Sequence, residues 1–236
     1  MNISKSIKFS YCAAAVLAGI PLAQGAILQV DTTYANGAYG SLPVSGTDLI
    51  NFGQSTLLSH NVSANSFADE TPDQGAIDGT ATGDFTSFTW FTNTTDPSTS
   101  LAVSPGVFTF NLDVSVNTLG YSISQIDSYA GFSGAAQEQA DQILTISYSL
   151  IGDAGFTTLG TYTYLAPGVR ELSRINLTDD TATYMLTGVD ALQFSYADPS
   201  NNWNSIAVQE IDVLGVATAI PEASTTGIFV LSLIHI

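Results

Sequence analysis

Val107-Phe-Thr-Phe-Asn-Leu-Asp-Val114 and Ile143-Leu-Thr-Ile-Ser-Tyr-Ser-Leu150 decide the fold. In both, apolar side chains recur at every second position, with hydroxyl or amide side chains between them. A pleated strand sends successive side chains to opposite faces, so this alternation buries one face and wets the other. The same texture runs through Phe85–Phe91, Gly160–Leu165, Thr183–Leu186, Ala191–Tyr196 and Ile206–Val213. Turn residues divide the stretches: Asp96-Pro97, Ser104-Pro105-Gly106, Gly152-Asp-Ala-Gly155, Pro167-Gly168, Thr187-Gly188 and Asp198-Pro199. Ala135–Gln142 is the one helix-like segment, and its short polar run reads as a loop. Many short strands with regular turns predict an all-β chain, an antiparallel β-sandwich or jelly roll.

The expected domain occupies residues 26–215, with no internal repeat and no linker to divide it; residues 216–220 form a tether. Residues 1–25 read as a secretory signal peptide. Lys5 and Lys8 supply the charged start, Cys12–Leu22 the apolar run, and Ala23-Gln24-Gly25 a small-x-small cleavage site. Both lysines leave with that segment, so the formal net charge moves from −17 to −19, with Arg170 and Arg174 the remaining cations. Such a surface repels nucleic acid and anionic lipid, because neutralising phosphate takes Lys and Arg. No cysteine follows Cys12, so no disulfide framework supports the fold despite an oxidising destination.

Catalytic machinery is sparse. His60 lies in a polar stretch without a nucleophile-elbow motif and reads as a surface residue. His/Cys clusters of zinc-ligand spacing are absent from the sequence. The chain is therefore read as no enzyme; a secreted glycan hydrolase built on paired carboxylates is the remotest alternative.

The last residues, Pro221-Glu222-Ala223-Ser224-Thr225-Thr226 followed by Gly-Ile-Phe-Val-Leu-Ser-Leu-Ile, resemble the PEP-CTERM sorting signal of exported bacterial proteins. Ala223 stands where that family usually has a second proline, and the basic cluster is missing. The apolar run is about half of the roughly 20 residues a spanning helix needs. The closing Leu-Ser-Leu-Ile-His-Ile resembles translated adaptor read-through, so the natural C-terminus is expected to be longer. The resemblance implies an exosortase-type membrane enzyme as partner, with Pro221, Glu222 and Ala223 as its recognition and processing segment. It also implies transient membrane contact and a place on the cell surface or in the extracellular matrix of a bacterium.

Three segments resemble the galactose-binding-like jelly roll of discoidin domains and several carbohydrate-binding modules. They are Ala76-Ile-Asp-Gly-Thr80, Phe110–Asp113 with Leu119–Tyr129, and Leu192–Tyr196 with Ile206–Val213. The resemblance implies a structural calcium ion near Asp78, Thr80 and Glu210, in keeping with the oxygen ligands that Ca²⁺ takes. Asp78-Gly79 reads equally as a plain turn, and Glu210 as a solvent-facing strand residue. For a glycan contact, Trp203 and Asn202 on a polar loop, with Tyr129, supply a ring to stack on a sugar and amides to bond its hydroxyls; Trp203 also reads as an end plug. The sequence thus predicts an exported, non-catalytic structural or adhesive protein, the alternative being a carbohydrate-binding module that recognises matrix polysaccharide. Arg170 and Arg174 are expected to pair with Glu171 or Asp179-Asp180.

Overall fold

Strand residues with one wet and one dry face need a second sheet to cover the dry one, and the chain supplies it. The computed structural model describes residues 26–34, 43–63, 66–67, 89–92, 106–131, 140–165, 172–197 and 205–219. Among these are eleven strands: β1 (Ile27–Tyr34), β2 (Leu57–Ser63), β3 (Ser66–Phe67), β4 (Thr89–Thr92), β5 (Gly106–Leu112), β6 (Tyr121–Gly131), β7 (Gln142–Leu150), β8 (Thr157–Tyr164), β9 (Leu172–Asp179), β10 (Leu186–Ala197) and β11 (Ser205–Ala217). No helix occurs among the described residues. One layer runs β2-β5-β10-β7-β8 and the other β1-β9-β6-β11-β4-β3, every pairing antiparallel. The layers join where Leu186 and Val189 of β10 pair with Ile123 and Tyr121 of β6, before β10 passes between β5 and β7 at Ala191. From β5 to β11 the chain crosses repeatedly between layers. The architecture is an antiparallel jelly-roll sandwich.

The two stretches that predicted the fold lie in the first layer as β5 and β7; burial alternates throughout β5, and in β7 it slips by one residue at Ile146-Ser147, where the pairing with β8 shifts register. Phe108, Phe110 and Leu112 of β5 meet Leu192, Phe194 and Tyr196 of β10 in one buried cluster with Ile126 of β6, Ile175 and Leu177 of β9, and Val208, Ile211 and Val213 of β11. Phe110 meets Phe194 edge-on at 5.8 Å between ring centroids, and Phe108 meets Tyr196 at 5.9 Å, the geometry aromatic quadrupoles favour. At one end of this core, Ser128 Oγ donates to Gln142 Oε1 and bonds the Tyr196 hydroxyl, while Gln142 Nε2 donates to Ser173 Oγ. Burial holds the Tyr196 hydroxyl well above its ordinary pKa.

Three expectations change. Thr183–Leu186 is not a strand: residues 181–185 bend and turn, and β10 begins at Leu186. Thr187-Gly188 is not a turn between strands but an irregularity inside β10, with Gly188 at φ 78°. A bulge uses the same glycine chemistry as a turn, so local sequence does not separate the two. Third, β11 runs to Ala217 and Thr218 N donates to Gly120 O at 2.9 Å, so the sandwich holds the chain past Gly215 into the expected tether.

Gly120 is the glycine this junction requires. Its φ is +73°, and a Cβ there would lie 2.7 Å from Gly188 C and Val189 O. Gly120→Ala is expected to cost about 2–4 kcal/mol, from left-handed strain and backbone overlap together. Val116→Ala, at an 84 % exposed turn position, is expected to stay within about 0.5 kcal/mol. Urea unfolding of both variants measures this; equal midpoints would refute the close approach.

Candidate functional site

β11 breaks its own alternation. Ile206 and Val208 face the core, and so do Ile211 and Val213, which are out of phase with the first pair. The register explains the change: Val208 lies opposite Ala130 and Glu210 opposite Tyr129, so Gln209 is an extra residue in a bulge. Strict period two from Val208 would drive Glu210 and Asp212 into the apolar core. The bulge turns them to the outer face of the second layer instead.

On that face two rows of side chains cross the layer. Glu210, Tyr129 and Arg174 lie in register, as do Asp212, Asp127 and Asn176. Asp127 is fully buried and collects four donors. Arg174 grips it two-pronged, Nη2 to Oδ2 at 3.0 Å and Nε to Oδ1 at 3.1 Å. Asn176 Nδ2 donates to Oδ1 at 2.6 Å and Gln125 Nε2 to Oδ2 at 2.7 Å. Arg174 therefore pairs with Asp127, not with Asp179-Asp180; Glu171 and Arg170 lie outside the described residues. Asp179 Oδ1 accepts instead from Thr181 and Ala182, and Asp180 Oδ1 from Ala26 N. The register puts Asp127 diagonally opposite Arg174, within reach of a long side chain.

Residues 43–57 form a strap across β11. Leu49 N donates to Val213 O at 2.9 Å, Ser45 N to Asp212 Oδ2 at 2.8 Å, and Thr56 Oγ1 to Leu49 O at 2.7 Å. Asp48 turns in under this strap, its Oδ1 accepting from Ile50 N at 3.0 Å and Val213 N at 3.2 Å. Asp48, Glu210 and Asp212 then each place an oxygen within 4.8 Å of the others, and all three residues are buried. Asp48 Oδ2 and Asp212 Oδ1 have no hydrogen-bond partner among the described residues.

Three carboxylates this close and this dry cannot all stay ionised without a counter-charge. Burial pushes Asp48 up to about 6, against the backbone hydrogen bonds that favour its charge. Burial also pushes Asp212 up to about 7; the Ser45 hydrogen bond and Arg174 oppose this, while the charges of Asp48 and Asp127 add to it. A hard divalent cation is the alternative to protons. Calcium takes six to eight oxygens at about 2.3–2.6 Å, so ligand oxygens on one ion lie at most about 5 Å apart. The cluster fits that ion. It lacks the nitrogen or sulfur ligands of a structural zinc site.

Of the residues expected to hold calcium, Glu210 stands in this cluster, while Asp78 and Thr80 lie outside the described residues. Asp48 and Asp212 were not anticipated. Asp212 had a signal, two residues beyond Glu210 and hence on the same strand face; Asp48 had none, in a stretch without periodic pattern. Among the expected glycan contacts, Trp203 and Asn202 lie outside the described residues, as do Pro221, Glu222 and Ala223. Tyr129 needs correction as a ligand contact. It is fully buried, its hydroxyl donates to Pro43 O at 3.0 Å, and the Arg174 guanidinium lies 5.7 Å from its ring centroid, so no sugar reaches its face. His60 is on β2 in the other layer, only partly buried, its ring edge-on to Phe52 at 5.8 Å.

Two outcomes follow from these charges. Asp48 and Asp212 hold protons in the folded chain more tightly than at their ordinary value of 3.8. Metal-free protein therefore binds more protons folded than unfolded between about pH 4 and 7, and its stability falls as pH rises through that window. Melts in chelator should show the fall, and Asp48→Asn with Asp212→Asn should flatten it; an unchanged slope in the double variant refutes the cluster as its source. Separately, Arg174→Met strands the buried Asp127 carboxylate and is expected to cost about 3–5 kcal/mol. Arg174→Lys keeps the charge but loses the fork and should fall between. Chemical denaturation orders the three proteins, and equal stability of all three contradicts the pairing.

No family model matches the chain, and no curated protein matches it either. Solved structures similar to it include carbohydrate-binding modules. CpGH89CBM32-5 from Clostridium perfringens, in complex with GalNAc-β-1,3-galactose, is 14 % identical with a TM-score of 0.43, covering 66 % of this chain and 94 % of that one. The family 32 module of NanJ from C. perfringens, in complex with galactose, is 15 % identical with a TM-score of 0.44, covering 67 % and 97 %. The fucose-binding module SpX-3 from Streptococcus pneumoniae is 15 % identical with a TM-score of 0.41, covering 71 % and 96 %. The likeness is one of outline, and the fold assignment rests on the strand order described above.

Proposed function

We propose that this chain is an exported, non-catalytic binding module of the bacterial surface or matrix, clamped by calcium, whose ligand is an extracellular polysaccharide. The observation that carries the proposal is the buried cluster of Asp48, Glu210 and Asp212 beneath the strap. Carboxylates that hydrolyse a glycosidic bond must flank it in a cleft open to substrate and water. These three are shut away, and two of them, Asp48 and Asp212, hold the strap to β11 through backbone N–H groups, which is the kind of place a structural ion occupies. Calcium would supply the positive charge that lets all three remain ionised, with Asp48 brought by the strap and Glu210 and Asp212 by β11.

The ligand class is supported by charge. A chain with two cations beyond its first 25 residues, against 21 carboxylates, has little means of holding nucleic acid, anionic lipid or a polyanionic glycan. A neutral, hydroxyl-rich polymer meets no such barrier. The N-terminal signal peptide carries the chain out of the cytoplasm. The tail, with Pro221, Glu222 and Ala223 as the segment recognised by an exosortase-type enzyme, then directs it to the surface. A purely structural or adhesive role keeps the same clamp without a defined ligand.

A calorimetric melt of the purified chain in excess calcium and in chelator tests the clamp. Binding at about 100 times Kd contributes about 2.7 kcal/mol, which raises Tm by roughly 5–10 °C in a domain of this size. The rise should vanish in Asp212→Asn and in Asp48→Asn. An unshifted Tm in the unaltered chain would sink the calcium reading.

A further inference from the structure

The outer face of the first layer carries a second constellation, at the end where β10 starts. There an open groove of about 500 Å³ runs between β2, β5, β10 and the turn that joins β7 to β8. Its apolar walls are Leu58 and Phe156, which are 64 % and 43 % exposed. Its polar side chains are Ser59, Asn111, Ser149, Asp153 and Asp190. Asn111 Nδ2 donates to Ser59 Oγ at 3.0 Å, and Asp153 Oδ2 accepts from Leu150 N at 3.3 Å, so both are held in place by neighbours.

Asp190 is placed by backbone irregularity. β10 shifts register against β7 between Val189 and Ala191, so Asp190 is the bulged residue, and a bulge re-aims the side chain it carries. One of its carboxylate oxygens, Oδ1, is shielded from solvent and has no hydrogen-bond partner among the described residues. The other oxygen, Oδ2, is not shielded in this way and is the one open to a donor arriving in the groove.

We propose that this groove is a binding site for a neutral sugar unit of a polysaccharide. The proposal rests on the polysaccharide reading above and gives it a location. Phe156 offers an exposed ring face against which the C–H face of a pyranose packs. Asp190 and Asp153 accept from sugar hydroxyls, and Asn111 supplies an amide that both donates and accepts. Among the described residues the lining contains no Lys, Arg or His, so a carboxylated or sulfated sugar would meet two carboxylates and no compensating charge from them. The volume lies in the range of small-ligand sites. Asp190 and Ala197 lie seven residues apart on β10, about 24 Å of extended strand, so the groove lies at the far end of β10 from Ala197.

Affinity electrophoresis of the full chain through gels containing soluble galactan, mannan, β-glucan, xylan or polygalacturonate tests the assignment, with Phe156→Ala, Asp190→Asn and Trp203→Ala run beside it. Retardation by at least one neutral polymer, weakened at least tenfold by Phe156→Ala and by Asp190→Asn while their melts and calcium shifts stay intact, is the result expected. Retardation lost in Trp203→Ala and kept in both groove variants overturns the groove but leaves the polysaccharide reading standing. Retardation by polygalacturonate alone overturns the neutral-sugar assignment. No retardation by any of the five overturns groove and polysaccharide reading together. The calcium melt is independent of all four outcomes. Salt-sensitive binding of oligolysine that Asp190→Asn abolishes, with no retardation by sugars, would make the groove a cation site instead.

Discussion

Four buried carboxylates, those of Asp48, Asp127, Glu210 and Asp212, sit on the outer face of one layer, and the arrangement of that face follows from how each is compensated. Asp127 is compensated within the layer: Arg174 supplies the charge, and Asn176 and Gln125 complete the shell. Breaking such a pair strands a charge in low dielectric, which is why one arginine in a chain so poor in cations is spent there. The other three share a space that Arg174 only partly offsets. Their charge must be met by protons or by a cation, and two of the three, Asp48 and Asp212, also bond the strap to β11. Strap, bulge and arginine thus answer one electrostatic constraint.

The bulges decided how much of this could be read in advance. β5 and β7 were legible because apolar residues alternate along both in the sequence, and burial follows that alternation throughout β5 and as far as Ile146 in β7. β11 was legible as a strand, but it was read as one regular alternation; the register locates a phase break at Gln209-Glu210, where buried apolar residues shift from even to odd positions. That shift identifies Glu210 and Asp212 as neighbours on the face opposite the core. β10 was misdivided because Thr187-Gly188 has turn chemistry, yet the ladder of β6 and then β5 and β7 carries the strand through it. Nothing local could have shown this, because the pairing partners lie far away in sequence.

Asp48 and the Arg174–Asp127 pair show a different limit. Asp48 comes from a stretch with no period at all, and its position is set by two backbone hydrogen bonds to Val213 and by Thr56 holding Leu49. Arg174 reaches Asp127, 47 residues away, through cross-strand register, while Asp179 and Asp180 accept from backbone donors. Sequence proximity is a poor guide to ion pairs in a jelly roll, because the chain crosses between layers at nearly every connection. Composition said that positive charge is scarce; only register says where it is used.

The strap also links the two faces of the sandwich. It leaves Asp48 on the second layer and continues into β2, whose Leu58 and Ser59 wall the groove on the first. Its far end is held by Asp113 N donating to Thr56 O at 2.8 Å, next to the end of β5 that carries Asn111. An ion bound at Asp48 as proposed would fix a segment whose two anchors are the acid cluster and the groove wall. Ordering that segment before a ligand arrives removes part of the conformational entropy that binding would otherwise cost. A clamp far from the ligand can strengthen binding without touching it, and here the strap is the covalent path by which it would do so.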